Sequence, residues 1–252
     1  MNTAYVKTTV DNHIAQIEFY HPQSNSLPAA ILEELSHAIV EAGKDHNIRV
    51  IVLRSAGEKA FCAGASFDEL IAIETEEQGK KFFSGFAHVI NAIRTSSKFV
   101  IARIQGKCVG GGVGIAAAAD YAIALDTASV KLSELAVGIG PFVVGPAVER
   151  KIGKAAFCEL SIDAGNWRSA TWAKERGLFT DLYSTAEVLD DAVNKLTLQL
   201  MNYNPDAMAA LKKIQWEGTE HWEHLLFERA AISGSLVLSE FTRAAIQKFK
   251  KA

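Results

Sequence analysis

Apolar residues along the chain fall into two rhythms. Tyr5–Val10 and Ile14–Tyr20 read as strands joined around Asp11-Asn12, with Ile14 and Ile17 interrupted by polar neighbours, and together predict a β-hairpin. From Pro28 the spacing changes. Ile31, Leu35 and Ile39 recur every four residues, one face of a helix, and Gly43 predicts its end because glycine readily takes the left-handed capping conformation. Val50–Leu53 is a short unbroken apolar run of the kind buried parallel strands show. A loop at Ser55–Ser66, a helical stretch from Phe67 to about Arg94, a strand at Phe99–Ile104 and a glycine-rich turn into an alanine-rich helix through Ala119 follow, with a further strand at Tyr121–Leu125. Strand–helix alternation of this kind predicts an α/β fold with a mostly parallel sheet.

Beyond Ser184 the pattern is helical throughout. It opens with the capping box Ser184-Thr185-Ala186-Glu187 and restarts at Asn204-Pro205, an N-cap followed by proline at the first helical position. Trp216, Trp222, Leu225, Leu226 and Phe227 make this region too apolar to stand free in water, so it is expected to pack on the core or on a neighbouring subunit. No low-complexity linker separates the two parts. The expected division is therefore a core of residues 1–181 and a helical, oligomerising extension of residues 182–252.

Composition narrows the function classes. A chain of 252 residues suits one large domain, and 49% apolar and 22% charged residues with a net charge of −3 describe an ordinary globular protein. That balance recruits neither nucleic acid nor an anionic membrane surface. Met1–Val10 holds no apolar run of signal-peptide length, and no segment reaches the roughly 18 apolar residues that spanning requires. A cytoplasmic location is the expectation. Cys62, Cys108 and Cys158 are odd in number and widely spaced, which signals neither a disulfide framework nor a zinc site, and they read as small core residues. His221 and His224 lie i,i+3 on a helical stretch, but with no third ligand near in sequence they read as a solvated face, and no metal is expected.

Three segments could carry chemistry. Gly110-Gly111-Gly112 follows a strand and opens a helix, leaving unpaired N–H groups above the sheet edge. That is either an anion or oxyanion site or simply a tight turn that lets helix and strand approach closely. The dinucleotide fingerprint G-x-G-x-x-G is poorly matched, since the run reads Gly110-Gly111-Gly112-Val113-Gly114 far from the first strand. Ala60–Ser66 is a second loop of the same kind, and two such loops on adjacent parallel strands would bring their N–H groups together. In Lys131–Pro141 a single carboxylate, Glu134, stands in apolar company. Desolvation would raise its pKa toward neutrality and suit it to proton transfer, whereas an ion pair with Lys131 would make it an ordinary surface acid.

Taken together and in order, Pro22…Asn25-Ser26-Leu27, Ala60-Phe61-Cys62-Ala63-Gly64-Ala65, Gly106…Gly110-Gly111-Gly112, Asp120, Ser133-Glu134…Gly138…Pro141 and Ala173…Gly177-Leu178 resemble the crotonase superfamily of enoyl-CoA hydratases and isomerases. The resemblance spans nearly the whole chain. It implies a spiral of ββα units with a C-terminal helical region that mediates trimer contacts, often as a dimer of trimers. It also implies an acyl-CoA thioester as substrate, with coenzyme A part of that substrate and no separate cofactor. Carried over residue by residue, the N–H groups of Ala65 and Gly111 would form an oxyanion hole and Glu134 would be the catalytic acid/base. Ala63, Ala65, Ser66, Phe67, Gly110, Gly111, Pro141 and Phe142 would line the substrate site.

The sequence also departs from the family. Hydratases usually carry a second glutamate just after the glycine turn, where this chain has Gly114. With one carboxylate a proton can still move from one carbon to another, so the loss leans toward Δ3,Δ2 double-bond isomerisation. Phe142-Val143-Val144 replaces a small, glycine-rich stretch and leaves less room for a nucleophilic water. Ser66 stands where Asp is common and Asp68 where some hydratases carry Lys, so the contacts to the CoA phosphates do not transfer; Lys59 is a candidate for them or a merely solvated lysine. The expectation is an enoyl-CoA hydratase/isomerase-type enzyme with Glu134 as acid/base and the direction of the chemistry left open; a Δ3,Δ2-enoyl-CoA isomerase, a catalytically retired acyl-CoA-binding relative and, against its charge, an RNA-binding protein are the alternatives.

Overall fold

The computed structural model describes residues 3–251. The hairpin forms as the alternation predicts, from β1 (Tyr5–Asp11) and β2 (Ile14–Tyr20), antiparallel with Tyr5 opposite Tyr20. The helix α1 (Ala29–Lys44) starts after Pro28 and buries Ile31, Leu35 and Ile39. Its end differs from the expectation. The helix runs through Gly43 and stops at Asp45, whose N–H caps back to Glu41. Gly43 is instead a close-approach site, since a methyl group there would lie 2.9 Å from Ser96 Oγ.

Three β–β–α turns follow and give the core its plan. The first is β3 (Val50–Ser55), β4 (Ala60–Cys62) and the helices α2 (Phe67–Ala72) and α3 (Glu76–Thr95). The second is β5 (Phe99–Ile104), β6 (Lys107–Val109) and α4 (Gly111–Ala118). The third is β7 (Tyr121–Leu125), β8 (Ser129–Lys131) and, after a short 3-10 turn at Leu135–Val137, α5 (Gly145–Ile162). The first strand of each pair joins one sheet and the second joins another: a six-stranded sheet in the order β1-β2-β3-β5-β7-β10, and a four-stranded sheet in the order β4-β6-β8-β9. Here β9 is Arg168–Ser169, which leads into α6 (Ala170–Glu175), and β10 is Asp181–Tyr183. All pairings of the large sheet beyond the hairpin are parallel. This is the expected spiral of ββα units.

Two expectations are corrected in these turns. The stretch read as one helix from Phe67 to Arg94 is two, because Ile73 leaves the helical region and Thr75 opens a new capping box with Gln78. The loop read at Ser55–Ser66 contains β4, which three residues are too few to announce by periodicity.

Strand alternation distributes the side chains of the large sheet between two cores. Ile51, Leu53, Val100 and Ala102 face the main core with α1, α3 and α4. Val50, Val52, Ile101 and Ile123 face a smaller one closed by Leu189 and Val193 of α7 (Ala186–Met201) and Met208 of α8 (Pro205–Gln215). The cap of α7 is Thr185 rather than Ser184, its hydroxyl accepting from the Val188 N–H, while Asn204 caps α8 as expected. The remaining helices are α9 (Trp222–Leu236) and α10 (Glu240–Lys251). The helical region folds back on its own chain. At the crossing of α3 and α9, Gly79 and Gly234 touch so closely that a methyl group on Gly79 would lie 2.6 Å from Gly234 Cα.

Candidate active site

The second strand of each turn delivers a loop to one place. After β4 the chain passes Gly64, held at φ 88°, where a methyl group would lie 3.0 Å from the Val109 carbonyl oxygen and 3.8 Å from the Gly111 nitrogen. Only glycine allows both that conformation and that approach. Leu27 fixes the loop from the far side: its N–H donates to the Gly64 carbonyl at 2.8 Å and its carbonyl accepts the Ser66 N–H at 3.3 Å. The N–H of Ala65, between them, faces away from Leu27 and meets no acceptor among the described residues.

The glycine turn is built to the same end. Gly110, at φ 51° and ψ −112°, donates its N–H to the Lys131 carbonyl, and its own carbonyl accepts from Val113 and Gly114 in the first turn of α4. The Gly111 N–H, first in the helix, has no acceptor among the described residues, as helix starts dictate. Two N–H groups from adjacent loops thus open onto one space.

Glu134 comes to that space from the third turn. Its carbonyl accepts the N–H groups of Val137 and Ile139, which pins the backbone, and Gly138 follows at φ 84°. Its carboxylate packs against Gly110, where a methyl group would sit 2.8 Å from Oε1. Oε2 is buried without a hydrogen-bond partner among the described residues. Burial pushes the carboxyl pKa up from 4.5 to about 7. The alternative of an ion pair with Lys131 is set aside by geometry, since that ammonium donates to the Gly165 carbonyl at 2.7 Å and lies over the Trp167 ring.

These groups border a cavity of about 90 Å³ whose walls are mainly apolar. Of the expected residues, Ala63, Ala65, Phe67, Gly110, Gly111, Glu134, Pro141 and Phe142 all line it. Ser66 does not. Its buried hydroxyl caps α2 by accepting the Glu69 N–H, so the serine shapes the loop rather than the site. Lys59 is exposed and outside the lining, and Asp68 accepts from Gln23 Nε2 at 2.9 Å. Cys62 and Cys108 are buried with thiols pushed up, that of Cys62 to about 12, which leaves them protonated and inert. Cys158 is only half-buried. Among the described residues no cluster of His, Cys, Asp and Glu could hold a metal, His221 and His224 included.

Sequence reasoning missed Phe83 and Phe86 of α3 and, from α9, Ser233 as parts of the lining, while Val143 and Val144, expected to add apolar bulk, do line it. The i,i+3 spacing of the two phenylalanines announces a buried helical face but not what that face meets. Val144 explains the absent second carboxylate spatially. A methyl group at Gly114 would lie 2.5 Å from Val144 Cγ1, so the valine occupies the room in which a side chain at position 114 would begin.

The architecture of β–β–α turns is shared with proteins of known family. The sequence model described as Enoyl-CoA hydratase/isomerase matches residues 9–242, and the chain belongs to that family. A carnitinyl-CoA dehydratase of Escherichia coli K12 is 31% identical over 92% of this chain and 94% of its own length. Among solved structures, an enoyl-CoA hydratase from Mycobacterium avium is 25% identical with a TM-score of 0.84 over 98% of this chain and 96% of that one. Another, from Bacillus halodurans, shares the fold at 23% identity, with a TM-score of 0.89 over 97% and 99%.

Proposed function

We propose that this enzyme of the enoyl-CoA hydratase/isomerase type holds the carbonyl oxygen of an acyl-CoA thioester between the N–H groups of Ala65 and Gly111, with Glu134 moving the proton. The observation that carries the reading is the Glu134 carboxyl, buried without a partner against Gly110 in the same cavity onto which both N–H groups open. A thioester lowers the acidity barrier at its α carbon only if the enolate oxygen is stabilised as charge develops. Each directed N–H donor in a water-poor site supplies roughly 3–4 kcal/mol of that. The base must then be ionisable near neutrality, and desolvation brings Glu134 there.

Within this reading, relocation of a double bond is favoured over addition of water by the Gly114–Val144 contact. The Glu134 carboxylate takes a proton from C2 of a 3-enoyl thioester. The electron pair of that C–H bond forms C1=C2 while the carbonyl pair passes to the oxygen held by the two N–H groups; as this dienolate collapses the carbonyl re-forms, the C1=C2 pair becomes C2=C3, and the C3=C4 pair takes the proton from Glu134 at C4. No second carboxylate and no water is consumed. Hydration would need a water activated by a second group, and Val144 takes the room in which a side chain at position 114 would begin.

The test is to assay 3-enoyl-CoA isomerisation and crotonyl-CoA hydration side by side for the wild type and Glu134→Gln. Isomerisation abolished by Glu134→Gln, with hydration much the slower wild-type reaction, supports the reading; full activity in Glu134→Gln sinks it. A retired acyl-CoA-binding protein would show intact binding and no turnover on either substrate. The same reading carries a homotrimer or a dimer of trimers, which sedimentation of the full chain measures.

A further inference from the structure

Resting on that reading of the site, we propose that the acyl group is short and apolar, about four or five carbons with the thioester carbonyl included, and that its length is set by the ring of Phe142. The wall of the cavity is locked in an unusual way. At three glycines the space of a side chain is taken by a bulky apolar group from elsewhere: the ring of Phe86 lies directly on Gly111, the ring of Phe142 on Gly140, and Val144 on Gly114. Each wall group therefore packs against backbone. A side chain resting on another flexible side chain can push it aside by a rotamer change, but toward the glycines these three meet only backbone, and movement in that direction requires α4 or the turn at residues 138–141 to move as well.

The volume then sets the size. A closed apolar cavity of about 150 Å³ takes a benzene ring, so about 90 Å³ takes three or four carbons past the carbonyl. Polar side chains on the lining are limited to Ser133, Glu134 and Ser233. The Ser233 hydroxyl is directed at the Arg229 carbonyl of its own helix, at 3.4 Å. Nothing there favours a polar or charged acyl tail. A carnitinyl group, with its hydroxyl and trimethylammonium, is far larger than the space and finds no second carboxylate on the lining to balance its fixed positive charge. The chain thus parts from its 31% identical relative in substrate while sharing its family.

Saturated acyl-CoAs separate this inference from the catalytic one, because they bind without reacting. In an unlimited apolar site each added methylene tightens binding roughly fourfold. With the wall in place, calorimetric titration of the wild type is expected to give butyryl-CoA at least about tenfold tighter than octanoyl-CoA, a reversal of that trend worth about 1.4 kcal/mol. Phe142→Ala is expected to tighten octanoyl-CoA and erase the preference; Phe142→Leu is the second variant should the first fold poorly. Octanoyl-CoA equal to or tighter than butyryl-CoA in the wild type would overturn the length limit while leaving the Glu134 assay untouched. A butyryl preference unchanged in both variants would remove Phe142 from the role. Acyl-CoAs binding no better than free coenzyme A would overturn this inference together with the reading it rests on. Turnover of carnitinyl-CoA at a rate matching a four-carbon enoyl-CoA would overturn the apolar class.

Discussion

At the N-terminus of α4 the Gly111 N–H stands open, Glu134 Oε2 is buried without a partner, and the neighbours are phenylalanines and valines. At its C-terminus the opposite rule holds. The Ala119 carbonyl accepts from Lys151 Nζ, and the buried carboxylate of Asp120 accepts from the Val100 N–H at 2.7 Å, from Trp216 Nε1 at 3.1 Å and from Lys212 Nζ at 2.8 Å. Lys212 is itself buried and donates also to the Lys98 carbonyl, tying α8 to the sheet. One helix of eight residues thus joins a site that keeps polar groups unpaired to a joint that pairs every one of them. Unpaired buried groups cost stability and are kept where a ligand is to complete them; saturated ones hold the fold.

The comparison can be broken at either end. The largest effect is expected from Glu134→Gln, which should lower kcat by roughly 10²- to 10⁴-fold with acyl-CoA affinity little changed, measured by steady-state rates and calorimetry. Next is Asp120→Ala. Leaving Lys212 buried without its carboxylate should cost about 3–5 kcal/mol in urea unfolding. The protein that remains folded should keep near-normal kcat, since Asp120 does not line the cavity.

Glu134 should also cost stability in a pH-dependent way. Its folded pKa of about 7 lies above the ordinary 4.5, so the fold favours the protonated form. Stability from this group is full below pH 4.5, declines as pH rises to 7 and is lost above it. Glu134→Gln should therefore be more stable than the wild type at pH 8 by about 2–3 kcal/mol and equal to it near pH 4. Activity runs the other way, because the base must be ionised: kcat/KM should climb as pH rises through about 7 and then level. The smallest effect is Trp216→Phe, which removes one hydrogen bond to Asp120 and should lower stability by about 1 kcal/mol without moving the pH profile.

How far these two ends were legible in the sequence follows from the length of the signals. The hairpin, α1 and β3, β5 and β7 are long enough to show their period, and Glu134 announced itself as the one acid in an apolar run. The second sheet was not legible, because β4, β6 and β8 have three residues each and β9 has two. Its existence, however, is what turns the loops after β4 and β6 toward each other. Ser66 misled for a related reason: a serine in the loop after β4 reads as substrate contact, but at the first turn of α2 its hydroxyl has a nearer N–H to serve. Phe83, Phe86 and Ser233 belong to helices remote in sequence, and no local pattern says which cavity a buried helical face will close. The Asp120 joint was only half visible, since the resemblance marks Asp120 but Lys212 and Trp216 meet it from about a hundred positions away.

The crossing of α3 and α9 at Gly79 and Gly234 sets an order of events during synthesis. Ser233 enters the cavity only because two glycines let the helices touch, and the turn at Gly138 after Glu134 is held by Phe241 and Thr242 of α10. A nascent chain that has emerged through β10 already owns both loops and Glu134 but not a closed pocket. At about 5–20 residues per second, it waits several seconds before α9 brings Ser233 and α10 brings the support of the Gly138 turn. Chaperone protection would be needed most in that interval, and a ribosome stalled within it would display the half-built site.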